Sequence, residues 1–349
     1  MCKNEKQVSP VHTRVISDTL LEVVVDLCLH MMEFNIRQVH DHKITELETL
    51  LEDSSDSFDD IVVLNPRSIG GWSNINIRGS CSEIEFILKL PWSTEKYQLN
   101  PYEQLYKTGL HYARLNVASH PIEFGRLSDH SETPFFLIEF IEGTTYSTIL
   151  DASPRELVSL KESLRILKSE VPKGIPKYET PIDYLVSNHR KVLEHPWLQQ
   201  ATTQTHQLIE DFTKLFPKVE SMMDILGHWS GDVMHGDLWT PNILFRQSQE
   251  VLLLDFDACS IGDSRYDLSY LLEGKRIENL PALIRDEDLT FVNKLRPLVL
   301  CYMIEWSIER LLSMESGIVE PNLNTLRLRN LLLDYVDINI ARLKMHLAN

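Results

Sequence analysis

The chain has no pair of cysteines at metal-binding or redox spacing. Cys2, Cys28, Cys81, Cys259 and Cys301 are odd in number, far apart and free of any C-x-x-C arrangement, which removes zinc, redox and disulfide-framework readings and favours a reducing, cytoplasmic setting. Basic charge is also scarce. With 34 Lys+Arg against 51 Asp+Glu the formal net charge is -17, a surplus that repels nucleic-acid phosphates and anionic membrane surfaces. Neither nucleic acid nor membrane is therefore expected as a partner. The same surplus is compatible with a cationic substrate, although acidity more often serves solubility.

Long apolar runs are missing as well. The nearest is residues 20–34, and there Glu22, Asp26, His30 and Glu33 recur every three or four positions as a narrow polar stripe. It is shorter than the roughly 20 apolar residues a spanning helix needs and reads as a largely buried soluble helix capped by Ser17. No internal repeat and no low-complexity tract is present. A chain of 349 residues that is 43% hydrophobic has enough material for an ordinary core, in two domains or one two-lobed domain with an extension.

What is present divides into three. Residues 1–58 read as a helical extension ending in an acidic, serine-rich linker, Leu51-Glu-Asp-Ser-Ser-Asp-Ser-Phe58. Residues 59–141 read as a strand-rich lobe, with candidate strands at 61–64, 75–77, 83–90, 122–127 and 135–140 and one helical pattern over 99–116. Residues 142–349 read as mostly helical, except for two short apolar runs, 243–245 and 251–254, flanking a polar turn. The fold class is α+β, a small sheet lobe followed by a larger helical lobe.

The chemistry concentrates in His235-Gly-Asp-Leu-Trp-Thr-Pro-Asn242, Leu254-Asp-Phe-Asp-Ala258 and Gly262-Asp-Ser-Arg-Tyr-Asp-Leu268. Phosphoryl transfer needs a carboxylate at the attacking hydroxyl, oxygen ligands for magnesium, and cationic or backbone donors around the phosphates. Asp237 in its loop suits the first task; Asn242 and Asp255 suit the second. Each alone is an ordinary turn or cap residue. Their combination is what points to a site.

These three segments resemble the catalytic loop, metal-binding segment and following helix of the aminoglycoside phosphotransferase, choline kinase and fructosamine kinase superfamily, over about residues 234–272. The resemblance implies a protein-kinase-like two-lobed fold with an antiparallel-sheet N-lobe and a helical C-lobe, and ATP and magnesium between them. GTP in place of ATP stays open. It also implies that Asp237 is the catalytic base, that Asn242 and Asp255 hold magnesium, and that Asp267 braces the catalytic loop, with His235 architectural.

Under that resemblance the N-lobe must hold a phosphate-binding lysine on a strand. Lys89 is the candidate, on a run whose Ile84, Phe86, Leu88 and Leu90 form one face and whose Glu85, Ile87 and Lys89 form the other. Glu103 or Glu95 is its expected partner. The turn Ser68-Ile-Gly-Gly-Trp-Ser-Asn74 lacks the full G-x-G-x-x-G and resembles a shortened nucleotide loop, with Gly71, Ser73 and Asn74 near the phosphates. The run Phe135-Phe-Leu-Ile-Glu-Phe-Ile-Glu-Gly143 resembles the hinge between lobes. Ile138 would back the adenine pocket, and the backbone of Glu139 and Ile141 would bond the base.

Twelve positions separate Asp255 from Asp267, with no A-P-E sequence following, so a peptide-docking platform has little room. A small-molecule hydroxyl acceptor is expected. An atypical protein kinase and a catalytically silent nucleotide-binding regulator are the alternatives. The acceptor pocket would draw on the helical pattern at 301–312, where Cys301, Ile304, Ile308 and Leu311 form an apolar face and Tyr302, Glu305, Trp306 and Glu309 another. That second face reads first as solvated, and second as an aromatic and acidic pocket for a cationic or polyhydroxylated acceptor.

Overall fold

The computed structural model describes residues 61–63, 74–81, 84–91, 102–126, 134–273, 286–316 and 323–348. The expected extension over 1–58, Gly71, Ser73 and Glu95 lie outside the described residues.

Alternation of apolar and polar residues builds the first lobe. Strands β1 (Ile61–Val63), β2 (Asn74–Cys81), β3 (Ile84–Pro91), β4 (Pro121–Arg126) and β5 (Pro134–Glu139) form one antiparallel sheet in the order β1-β2-β3-β5-β4. Phe86 and Leu88 of β3 are fully buried, while Glu85, Ile87 and Lys89 between them stay partly accessible on the opposite face. Asn74, expected in the turn, is the first residue of β2 and pairs with Pro91. Helix α1 (Tyr102–Ala113) lies against β4 and β5, with Tyr102 stacked on Phe136. Asn116, at φ 57, turns the chain out of it in a left-handed conformation that asparagine tolerates.

The second lobe is helical. Helices α2 (Pro154–Ser169) and α3 (Pro181–Leu193) each begin with a proline behind a capping box, Ser153 with Glu156 and Thr180 with Asp183. Next come α4 (Thr203–Thr213) and α5 (Phe216–Asp224), then two short ribbons. One ribbon pairs β6 (Asp232–Met234) with β9 (Ser260–Gly262); the other pairs β7 (Ile243–Phe245) with β8 (Val251–Leu253). Helices α6 (Arg265–Leu271), α7 (Asp286–Glu315) and α8 (Leu323–Ala348) complete the lobe. Cys301, Ile304, Ile308 and Leu311 of α7 are fully buried in a core shared with α3, α4, α5 and α8. A second core, holding Tyr112, Ile149, Leu160, Leu238, Leu253 and Phe256, joins α1 to α2 and the ribbons.

The architecture is therefore α+β, a sheet lobe followed by a helical lobe, as the resemblance implies. Among the described residues no helix is long and apolar enough to cross a membrane.

Candidate active site

Strand β6 delivers the chain into His235-Gly236-Asp237, and the bend requires its glycine. Gly236 has φ +82, and a Cβ there would lie 2.3 Å from the carbonyl oxygen of Ala258. Asp267, in the first turn of α6, clamps this bend. Its Oδ2 accepts from His235 N at 2.7 Å and its Oδ1 from Gly236 N at 2.9 Å. Burial pushes the Asp267 carboxyl up to about 7, and the two backbone donors work in the opposite direction. His235 Nε2 lies 2.8 Å from Leu254 O, and because a carbonyl only accepts, Nε2 carries the proton. Burial keeps the ring neutral, with a pKa of about 4.

Asp237 is held by three hydrogen bonds from two residues. Asn242 Nδ2 donates to its carbonyl at 2.9 Å and its Oδ2 at 3.1 Å, and the Tyr270 hydroxyl, one turn along α6 from Asp267, donates to its carboxylate. Burial and then the charge of Asp255 push the Asp237 carboxyl up to about 6. The loop, metal segment and α6 thus meet around one carboxylate.

Asp255 follows β8 in a left-handed conformation, φ 63 and ψ 70, of the strained kind that concentrates at functional sites. Lys89 Nζ reaches across the cleft to its Oδ1 at 2.9 Å. Burial opposes the ammonium, yet Asp255 and Asp257 outweigh it and hold Lys89 above its ordinary range. Lys89 in turn draws the Asp255 carboxyl down against burial. Asp257 shares a side-chain hydrogen bond with Asp255, and burial with that neighbouring charge pushes it up to about 7. Sequence reasoning passed over Asp257, although the second carboxylate of Leu-Asp-Phe-Asp was the available signal. Glu103, expected to pair with Lys89, is exposed and bonded instead to Lys107 at 2.5 Å, one helical turn away on the solvent side of α1.

The expected hinge follows β5. Ile138 is half-buried and pairs with Ile87 of β3. Glu139 N donates to His120 O and Phe140 N to Glu85 O, so the Glu139 N–H is committed within the sheet lobe. The chain then passes Ile141 and pairs with the ribbon at Thr144, which exchanges two hydrogen bonds with Phe245.

The donor set suits a hard cation with phosphate co-ligands. Among the described residues no group of three or more His, Cys, Asp or Glu is arranged to hold a metal. A magnesium ion between phosphates needs only one or two protein carboxylates, and oxygen ligands complete its shell. Asp255 supplies a carboxylate. Asn242 has committed its Nδ2 to Asp237, which leaves its Oδ1 as the acceptor. Asp255 and Asp257 flank the ammonium of Lys89, and Asp237 lies within electrostatic reach of both carboxylates, a surplus of negative charge that a divalent cation would relieve.

On the far side of Asp237 stand four tyrosines, of which sequence reasoning singled out Tyr302 alone. Tyr184 of α3 meets Tyr266 of α6 edge-on, Tyr266 stacks on Tyr270, and Tyr270 meets Tyr302 of α7 edge-on. Beyond Tyr302, the solvated-face reading fails for Glu305 and Glu309. They are 2% and 4% exposed, because α3 packs across this side of α7, and Trp306 is half-buried.

A family model described as "Phosphotransferase enzyme family" matches residues 67–290. The chain belongs to that family. Among solved structures, this phosphotransferase is similar to a choline kinase from Streptococcus pneumoniae, at 15% identity and TM-score 0.59 over 87% of this chain and 99% of that one. It is also similar to an ethanolamine kinase from Plasmodium vivax, at 14% identity and TM-score 0.56 over 83% of each chain. A third likeness is to an aminoglycoside phosphotransferase in a ternary complex with AMP-PNP and hygromycin B, at 11% identity and TM-score 0.52 over 84% of this chain and 97% of that one. At these identities the likeness establishes the protein-kinase-like fold. No curated protein sequence matches the phosphotransferase.

Proposed function

We propose that this phosphotransferase moves the γ-phosphoryl group of ATP, with magnesium, onto a hydroxyl of a small molecule. The observation that carries the reading is the convergence of Asp237, Asn242, Asp255 and Lys89 from two lobes and three segments around one cleft. A nucleotide fits the interlobe position, with Lys89 turning from Asp255 to the phosphates and the Glu139 carbonyl and Ile141 N–H reading the base. Asn242 and Asp255 would hold magnesium, which when bound neutralises charge between the phosphates.

Asp237 orients the acceptor hydroxyl and takes its proton as the oxygen attacks the γ-phosphorus. One P–O bond forms to the acceptor, the bond to the β-phosphate oxygen breaks, and its electron pair leaves with ADP. Burial favours this role, since a base whose pKa is lifted toward neutrality holds the proton better. The short path from Asp255 to Asp267, taken up by β9 and the start of α6, supports a small acceptor over a peptide. The division into residues 1–58, 59–141 and 142–349, and a cytoplasmic location, belong to the same reading. The buried free thiols of Cys259 and Cys301 agree with the latter.

The test is nucleotide consumption by pure protein with magnesium against pooled amino alcohols, aminoglycosides, sugars, nucleosides and glycated amines, with Asp237→Asn as control. Acceptor-dependent turnover that vanishes in the variant supports the reading. Failure to bind nucleotide in the presence of magnesium would end it.

A further inference from the structure

Helix α8 fills the core of the helical lobe with one face only. Leu332, Leu333, Val336, Ile340 and Leu343 are buried where it packs on α7 and α4. The opposite face runs at three- and four-residue spacing from Leu331 to Met345 and is turned to solvent. On it Leu331, Ile338 and Met345 are 58%, 57% and 61% exposed, and Tyr335 is 37% exposed. A lone exposed leucine needs no explanation. Three apolar side chains and a tyrosine in line, on a helix whose other face already serves the core, mark a surface that is covered by something else.

The order of residues along this face identifies the cover. Positions equidistant from Ile338 match one another: Leu331 with Met345, both apolar; Asp334 with Arg342, opposite in charge; Tyr335 with Ala341, large with small. Asp334 and Ala341 are exposed too. When two α8 helices run antiparallel about a two-fold axis through Ile338, each of these residues meets its match at the same height and Ile338 meets its own copy. A parallel pair would set Asp334 on Asp334 and Arg342 on Arg342. Arg342 is already held in place, since Glu273 and, at 2.8 Å, Asn339 Oδ1 accept from its Nη atoms. Its five N–H donors leave some for a second carboxylate. A foreign partner gives no reason for the two halves of the face to mirror each other, and a second copy requires it.

We propose that the chain self-associates through this face, two α8 helices packing antiparallel across a two-fold axis at Ile338. The proposal stands apart from the phosphotransfer reading. At about 1.5 Å of rise per residue the contact is about 21 Å long, which places it at the small end of specific interfaces and its Kd on the order of micromolar. Each copy's net charge of -17 opposes the encounter, and at physiological salt screening confines that repulsion to groups within about 8 Å.

Sedimentation velocity of the full-length protein from about 1 to about 100 μM, at physiological salt, should show a mass rising from one copy toward two. Ile338→Arg sets two like charges on the axis, and Asp334→Arg sets one against Arg342. Each should weaken association about tenfold or more, with thermal unfolding near wild type because both positions are exposed. Cysteine substitution reads the geometry. Under a mild oxidant Ile338→Cys should link two copies through position 338 of each. Leu331→Cys alone should not link to itself and should link to Met345→Cys when the two proteins are mixed. A single-copy mass at every concentration overturns the proposal. So does a dimer that survives Ile338→Arg and forms no link at position 338, since its interface lies elsewhere. A link from position 338 to Cys2 or Cys28 of the same copy would mean that residues 1–58 cover the face, and overturns it as well.

Discussion

Tyr112 of α1 lies flat against Phe256 of the metal segment, with ring centroids 5.1 Å apart and planes 14° apart. Phe256 in turn meets the ring of His235 at 5.0 Å. On the other side the Tyr112 hydroxyl donates to the carbonyls of Glu170 at 2.7 Å and Leu167 at 3.2 Å, at the end of α2. The helix of the sheet lobe is thereby fastened to the helical lobe through the residues that shape the catalytic loop.

Tyr112→Phe should keep the ring contact and lose the two hydrogen bonds. Stability should fall by about 1 kcal/mol, measured by denaturant unfolding, whereas Tyr112→Ala should cost about 3–5 kcal/mol. Equal losses in the two variants would show that the stack contributes nothing.

Asp237→Asn should lower transfer about 10²–10⁴-fold while nucleotide binding stays near wild type, because a proton acceptor is lost and no phosphate contact is. Single-turnover transfer and calorimetric ATP affinity measure the two separately. A matching fall in affinity would refute the base assignment.

Asp255→Ala removes a metal-directed carboxylate and strands Lys89, whose side chain is 13% exposed. Magnesium-dependent ATP affinity should drop by tenfold or more, about 1.4 kcal/mol, while ATP binding measured without magnesium should hold or strengthen, because the carboxylate opposing the phosphates is gone. Unchanged affinity with magnesium would remove Asp255 from the metal site.

Asp267→Asn offers one carbonyl oxygen where two backbone donors, His235 N and Gly236 N, need acceptors. A loss of about 1–3 kcal/mol of stability and a fall in kcat with ATP affinity held are expected. Hydrogen exchange at these two amides should accelerate, and protection equal to wild type would contradict the clamp.

Stability should depend on pH through Glu309, whose carboxyl burial pushes from 4.5 up to about 7. Arg310 and Lys191 pull against that rise, and Glu305 and Tyr302 lie within electrostatic reach of Glu309. The raised value means that the folded state holds a proton the unfolded state has released. Stability of the ligand-free protein should therefore decline as pH rises from about 4.5 through about 7, by up to about 3 kcal/mol from this group. Thermal unfolding across a pH series tests the sign, and stability that rises over this interval would reverse the assignment.

Local patterns carried much of this into view. The strands expected at 61–64, 83–90 and 122–127 lie within a residue or so of β1, β3 and β4, because strand alternation is written in consecutive side chains. Asp237, Asn242, Asp255 and Asp267 stood out because they fall within one short stretch. What stayed hidden depends on distant pairings. Tyr112 and Phe256 are 144 positions apart, so nothing near either in the chain announces their contact. Glu103 had the right helix and the wrong face. The face of Glu305 and Glu309 was read as solvated because helical periodicity shows two sides of a helix and cannot see a third element, α3, laid across one of them.

On the proposed function, the pairing of Lys89 with Asp255 places the cation assigned to phosphate on the carboxylate assigned to metal. Magnesium arriving alone must strip that aspartate from its lysine, and a nucleotide arriving alone must bring its phosphates up to an undischarged carboxylate. Together, each ligand neutralises the partner that the other has released. A cleft with those roles would act as a coincidence detector, ignoring stray metal and bare nucleotide and responding to the two as a unit.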